Sequence, residues 1–97
     1  GNVMLWQDSA RVTVNGREVA MFRKEFDILC YFLRRPNHIV DKVVLAEAVW
    51  GDHMDQADDF SFVYAQVKNV RRKLQAAGAD VEIRSVYGFG YKLVELQ

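Results

Sequence analysis

Residues Phe60 to Ala77 read FSFVYAQVKNVRRKLQAA, and the character of this stretch decides what the chain can be. Wound at about 100° per residue, Phe60, Val63, Val67, Val70 and Leu74 gather within about 80° of one another, a narrow apolar stripe suited to burial. The opposite face centres on Ser61, Ala65, Lys68, Asn69 and Arg72. Gln66 and Lys73 lie at one margin, Tyr64 and Arg71 at the edge of the stripe. No acidic residue occurs between Phe60 and Ala79. A helix that needed only solubility would interleave both signs for i,i+4 pairing. Here the outer face is basic, amide-bearing and small in its middle, so another surface can approach closely. Arg and Lys reach guanine or phosphate, and Asn and Gln pair with adenine, which points this face at nucleic acid.

The segments before it supply a frame. VMLW, ARVTV and REVAM read as strands in the first twenty or so residues, the last two joined by Asn15-Gly16, the dipeptide that best tolerates the positive φ angles of a tight hairpin. A helix is expected from Arg23 to Arg35, with Phe26, Leu29, Cys30 and Leu33 on one face. Arg34 and Arg35 suit its negative end, and Pro36 disfavours further helix. A short strand, His38-Ile39-Val40, precedes Asp41, which is placed to cap a helix over Val43 to Trp50 closed by Gly51. The acidic run that follows, GDHMDQADDF, lacks the alternating ligands, central glycine and terminal glutamate of a calcium loop. It reads as a solvated loop that caps the next helix through Asp58 or Asp59. No metal or other cofactor is expected.

After the basic helix comes RSVYGFGYKL, Arg84 to Leu93, two strands folded around Gly88-Phe89-Gly90. A helix, a connection, a second helix with a basic outer face and then a narrow hairpin make a winged helix-turn-helix, although the connection is longer than the usual turn. The hairpin is the wing. Val86 and Leu93 are expected to pack beneath it, and alternation puts Tyr91 on one face with Leu93, partly buried. Tyr87, beside the turn, projects from the tip. Phosphate anchoring falls to Ser85 with Arg84 or Lys92.

Composition agrees with one small domain. The 97 residues are 51% hydrophobic and 12% aromatic, enough for a single core. The formal net charge is zero, but residues 1–59 hold 7 Lys/Arg against 10 Asp/Glu, whereas residues 60–97 hold 6 against 3. A phosphate backbone responds to the field of one face, not to the total. The single cysteine, Cys30, cannot form an internal disulfide and reads as a buried, reduced thiol of a cytoplasmic protein. No apolar run approaches the roughly 20 residues of a membrane span, and no signal peptide is visible. The chain opens on Gly1 rather than methionine, which predicts an excised fragment with a neighbouring domain missing.

Together these motifs resemble the winged-helix DNA-binding domain of the OmpR/PhoB family of bacterial two-component response regulators. MFRKEFDIL, Met21 to Leu29, looks like the family's first-helix signature, and LAEAVWG, Leu45 to Gly51, is similar to the end of its second helix. VYAQVKNVRRKL, Val63 to Leu74, resembles its recognition helix, and IRSVYGFGYKL, Ile83 to Leu93, its wing. The resemblance runs from about residue 3 to 95. It implies an α+β fold with a four-stranded N-terminal antiparallel sheet, three helices and a C-terminal hairpin. It also implies a receiver domain N-terminal to this one, phosphorylated by a cognate histidine kinase, and homodimers arranged head to tail on direct-repeat double-stranded DNA. The loop between the second and third helices, here Asp52, His53, Asp55, Asp58 and Asp59, is then the segment that touches RNA polymerase. Where many members carry Asp and His, this chain has Tyr64 and Gln66. Asn69 stands where arginine or serine commonly reads bases, and Tyr87 where a minor-groove arginine is frequent.

Two other classes fit the residues less well. A winged helix used only for protein contacts leaves Lys68 and Arg72 without a task. An enzyme needs a constellation, and His38 and His53 have no nucleophile, glycine-rich phosphate loop or paired carboxylates beside them.

Overall fold

Asn15 and Gly16 adopt φ angles of 53° and 81°, as a two-residue hairpin turn requires, and the strands on either side pair around them. The computed structural model describes residues 1–96, with secondary structure in the order β1 (Val3–Trp6), β2 (Arg11–Val14), β3 (Arg17–Glu18), α1 (Arg23–Leu33), α2 (Lys42–Trp50), a 3-10 turn (Asp52–Gln56), α3 (Ser61–Ala77), β4 (Val81–Val86) and β5 (Gly90–Glu95). β1, β2 and β3 form an antiparallel sheet in that order, with Val3 opposite Val14 and Thr13 opposite Glu18. β4 and β5 form a separate two-stranded ribbon with Ile83 opposite Leu93. This is the α+β winged helix-turn-helix that the element order predicts.

Alternation along β2 turns Val12 and Val14 into the core they share with α1, whose Phe26, Ile28, Leu29 and Phe32 are buried. Leu45 and Ala46 of α2 close one side. The α3 stripe of Val63, Val67, Val70 and Leu74 closes the other, and Ile83 and Leu93 of the ribbon complete the core. Phe60, expected in that stripe, is half-buried and stands at the N-terminal boundary of α3. Cys30 is buried as expected, and burial pushes its thiol up from the ordinary value, opposed in part by the nearby Gln7 side chain. A thiol so shifted is a poor nucleophile.

Several expectations need correction. The N-terminal sheet has three strands among the described residues, not four. Asn2, just before β1, is drawn instead to the α3–β4 junction: its N–H donates to Asp80 Oδ2 at 2.9 Å and its Oδ1 accepts from the Asp80 N–H at 2.8 Å. The third strand is two residues long rather than REVAM, because after Glu18 only the Val19 N–H still reaches back, to Val12 at 3.0 Å. α1 ends at Leu33, and Arg35 serves that end differently, its guanidinium donating to the Tyr31 carbonyl at 3.2 Å while lying over the Tyr31 ring. His38-Ile39-Val40 is not a strand. Only Val40 pairs, because Asp41 must begin α2 directly afterwards, its carboxylate accepting from the Val43 N–H at 2.6 Å.

Val86 does not pack under the wing with Leu93. The β4–β5 register puts the two on opposite faces of the ribbon, with Val81, Ile83, Ser85, Tyr91 and Leu93 facing the core side. Tyr91 takes its expected half-buried place there.

The aromatic side chains at the α2–α3 corner fix the angle between those helices. Trp50 meets Phe62 edge-on with centroids 4.9 Å apart, and Phe60 stacks on Phe62 at 6.1 Å. Lys24 of α1 donates to the Val49 carbonyl at 2.9 Å, tying the end of α2 back to α1.

Candidate nucleic-acid interface

With its apolar stripe buried, α3 presents Ser61, Tyr64, Ala65, Lys68 and Arg72 to solvent along one side. Lys68 has no hydrogen-bonding or ionic partner among the described residues. Arg72 leans towards Asn69, donating to its Oδ1 at 3.4 Å, a weak contact that leaves the guanidinium free to re-aim. Ser61 is engaged at the helix start, where Asp59 Oδ1 accepts from its N–H at 2.8 Å and Oδ2 from its hydroxyl at 3.2 Å. Asp59 rather than Asp58 thus serves this terminus, from one residue before the helix boundary.

Two residues of the expected set, Arg71 and Gln66, are turned inward, and so is Lys73 beside it. Arg71 Nε donates to the Ile83 carbonyl at 2.7 Å and its second guanidinium nitrogen to Ser85 Oγ at 3.3 Å, lashing α3 to the wing. Gln66 is half-buried, and its Oε1 has no partner among the described residues. Lys73, at the margin of the basic face, is taken up by Glu25 of α1: Nζ lies 2.5 Å from Oε1, with the Glu25 side chain 1% exposed and that of Lys73 24%. The same Oε1 accepts from the Phe22 N–H at 2.8 Å, so one buried carboxylate caps α1 and anchors α3.

On the wing, Arg84 and Lys92 stand opposite each other across the ribbon, a like-charged pair that concentrates positive potential on the face away from the core. Glu82 offsets part of it through a 3.2 Å contact with Arg84 Nε. Ser85 lies on the other face, towards Arg71, so the register separates it from the two cations it was grouped with. Tyr87 is 98% exposed at the turn, and Phe89 is 67% exposed two residues on. Phe89 has no role by charge or periodicity, and its glycine neighbours on both sides are the sequence signal that its ring stands clear. Tyr91 and Tyr64 approach to 6.5 Å between centroids, joining wing to helix. Burial raises the Tyr91 phenol above its ordinary value; Tyr64 adds to the rise and Arg71 opposes it. Asp41, Lys42 and Tyr64 line a groove with the wing tip, Ser85 to Tyr91.

In the α2–α3 connection Asp52, His53, Asp58 and Asp59 are exposed, and the side chain of Asp55 lies outside the described residues. The described residues hold no cluster of three or more His, Cys, Asp or Glu able to bind a metal, and no helix long and apolar enough to cross a membrane.

The family described as "Transcriptional regulatory protein, C terminal" matches residues 16–93. The chain belongs to that family. It is a winged-helix DNA-binding domain of the OmpR/PhoB response-regulator type. Over 82 residues it is 40% identical to the response regulator SaeR of Staphylococcus aureus, a match covering 84% of this chain and 35% of SaeR. The chain thus spans about a third of the length of that relative. The DNA-binding domain of Bacillus subtilis CssR is 27% identical and superposes with a TM-score of 0.79, covering 94% of this chain and 98% of that one. The Klebsiella pneumoniae RstA DNA-binding domain, solved in complex with the RstA box, shares the fold, with a TM-score of 0.81 at 24% identity over 97% of this chain and 92% of that one.

Proposed function

We propose that this domain binds double-stranded DNA sequence-specifically with α3 in the major groove and the β4–β5 wing at the adjacent minor groove. The observation that carries the reading is the acid-free outer face of α3, on which Lys68 and Arg72 stand exposed beside Tyr64 and Ala65. Ser61, Tyr64, Ala65, Lys68, Asn69 and Arg72 are the groove-facing set, and Arg84, Tyr87 and Lys92 the wing's. Arg71 and Ser85 contribute mainly by fixing how helix and wing sit, while Gln66 stays half-buried at the margin of the face. In the parent protein the domain follows a receiver phosphorylated by a histidine kinase, acts in the cytoplasm, and pairs head to tail with a second copy on direct repeats. The chemistry is recognition and positioning; no catalytic step is assigned to it.

Selecting duplexes from a random pool with the domain, then measuring affinity against salt, tests this directly. Lys68→Ala and Arg72→Ala should each weaken binding while shifting folding stability by no more than about 0.5 kcal/mol, as surface substitutions do. A side chain that contacts phosphate should also lower the salt slope by about 1 on removal. Unaltered binding in both variants removes α3 from the interface.

The acidic α2–α3 connection repels a phosphate backbone, so it faces a protein, and in an activator that protein is RNA polymerase. Asp52→Asn with Asp58→Asn should leave DNA affinity equal or slightly raised while changing transcription from a promoter the parent activates. A large loss of affinity in the purified domain contradicts this placement.

A further inference from the structure

The wing tip holds two large aromatic side chains that the fold does not use. Tyr87 is almost wholly exposed and Phe89 is 67% exposed, and the turn that carries them bears no charge from Val86 to Tyr91. An electrostatic probe of a narrow minor groove needs a cation at its end, and this tip has none. Nor is the tip a loose loop. The Phe89 N–H closes the turn onto the Val86 carbonyl at 2.9 Å. Immediately behind it Val40 and Tyr91 exchange two backbone hydrogen bonds of 2.7 and 3.0 Å, so the hairpin is braced against the segment before α2. The tip is continuous with the exposed face of α3, because Tyr64 and the wing residues line one groove and Tyr64 contacts Tyr91. A braced, uncharged, aromatic-ended ribbon beside a basic helix has the form of a wedge.

We propose that Tyr87 and Phe89 enter the minor groove as an apolar wedge and partly unstack one base step, so that the domain selects its sites in part by how easily that step opens. This rests on the reading above that α3 and the wing lie on one duplex. Apolar side chains inserted between base pairs kink DNA at steps that unstack cheaply, chiefly pyrimidine–purine steps such as TA and CA. Phe89 is the better wedge because it lacks a hydroxyl to keep solvated; Tyr87 can place its ring against sugar edges and keep its hydroxyl at the rim. Specificity from this source falls on positions that no donor or acceptor reads.

The test uses the whole domain and a duplex it selects from a random pool, carrying 2-aminopurine at successive positions of the wing-side flank. The unchanged domain should raise fluorescence several-fold at one step, and replacing that step by a GC-rich one should weaken binding about tenfold. Phe89→Ser should abolish the rise and weaken binding about tenfold, with an unchanged salt slope. Because Phe89 is exposed, the variant keeps the fold, which its melting temperature verifies. If Phe89→Ser and Tyr87→Ser weaken binding but no position brightens, the wing touches DNA without wedging, and this proposal fails while the placement of the wing stands. If neither variant changes affinity or fluorescence, the wing placement fails with it. If either variant instead abolishes self-association of the domain without DNA, the tip is a contact between copies and the wedge is overturned.

Discussion

Gly90→Ala is expected to destabilise the domain by about 3 kcal/mol or more, lowering the melting temperature by roughly 12–24 °C for a chain of this size. Gly90 has φ 137°, where side chains rarely go, and a Cβ added there would lie 2.2 Å from the carbonyl oxygen of Val40. That atom is backbone, so no rotamer change relieves the clash. The ribbon has to move away, which breaks the two hydrogen bonds between Val40 and Tyr91, each worth about 1 kcal/mol. Strain in the dihedral itself adds about 1–3 kcal/mol. Gly88, two residues earlier, is the control. Its φ of 79° is left-handed too, but an added Cβ would meet nothing within 4 Å. Gly88→Asn should therefore cost about 1 kcal/mol or less, asparagine being the side chain that tolerates this region best. Thermal melts of the two variants, with affinity for a selected duplex, separate the consequences. Gly90→Ala should lose both stability and DNA binding, because the wing is no longer braced. Similar melting of both variants would show that the Val40 contact does not hold the wing.

What the sequence disclosed and what it withheld divide along physical lines. Periodicity placed the α3 stripe because Val63, Val67, Val70 and Leu74 repeat at helical spacing, and burial follows from that pattern alone. Asn15-Gly16 and Asp41 were legible because turn and cap chemistry is local. The long-range contacts were not. Val40 meets Tyr91 across some fifty residues, so a strand was expected where only one bridge forms. Phe62 falls on the outer face of α3 by periodicity, yet the connection wraps it against Trp50. The solvent-exposed face of α3 is narrower than its charge pattern alone suggests. Arg71 and Lys73 carry the right charge, but their partners, Ile83 and Ser85 for one and Glu25 for the other, come from different elements. Charge at a helical position says what a side chain can do, whereas the neighbours decide what it is already doing.

Lys73→Met should destabilise the domain by about 3 kcal/mol and leave the salt dependence of DNA binding unchanged. The first half follows from Glu25, whose side chain is 1% exposed and whose Oε1 holds both Lys73 Nζ and the Phe22 N–H. Removing the cation strands a carboxylate in the core, and breaking a buried pair from one side costs about 3–5 kcal/mol. The lower end applies because Lys73 keeps a 24% exposed side chain, so water can enter where its ammonium stood. Removing both charges together leaves no such orphan. Glu25→Leu with Lys73→Met should recover most of the loss, since an apolar pair of similar volume often does as well as a buried ion pair. The Phe22 N–H then loses its acceptor, but Phe22 is exposed and water can replace it. The second half separates Lys73 from Lys68, its neighbour on the same helix. Each adds one positive charge, and a count of basic residues treats them alike. Lys68 has no partner among the described residues, so its loss should reduce the salt slope by about 1, whereas Lys73 is neutralised by Glu25 and should leave the slope where it was. Chemical denaturation of the single and double variants, with salt titrations of DNA affinity, reads both halves. A salt slope that falls for Lys73→Met as it does for Lys68→Ala would mean that Lys73 leaves Glu25 for phosphate when DNA binds, and that the inner ion pair opens on binding.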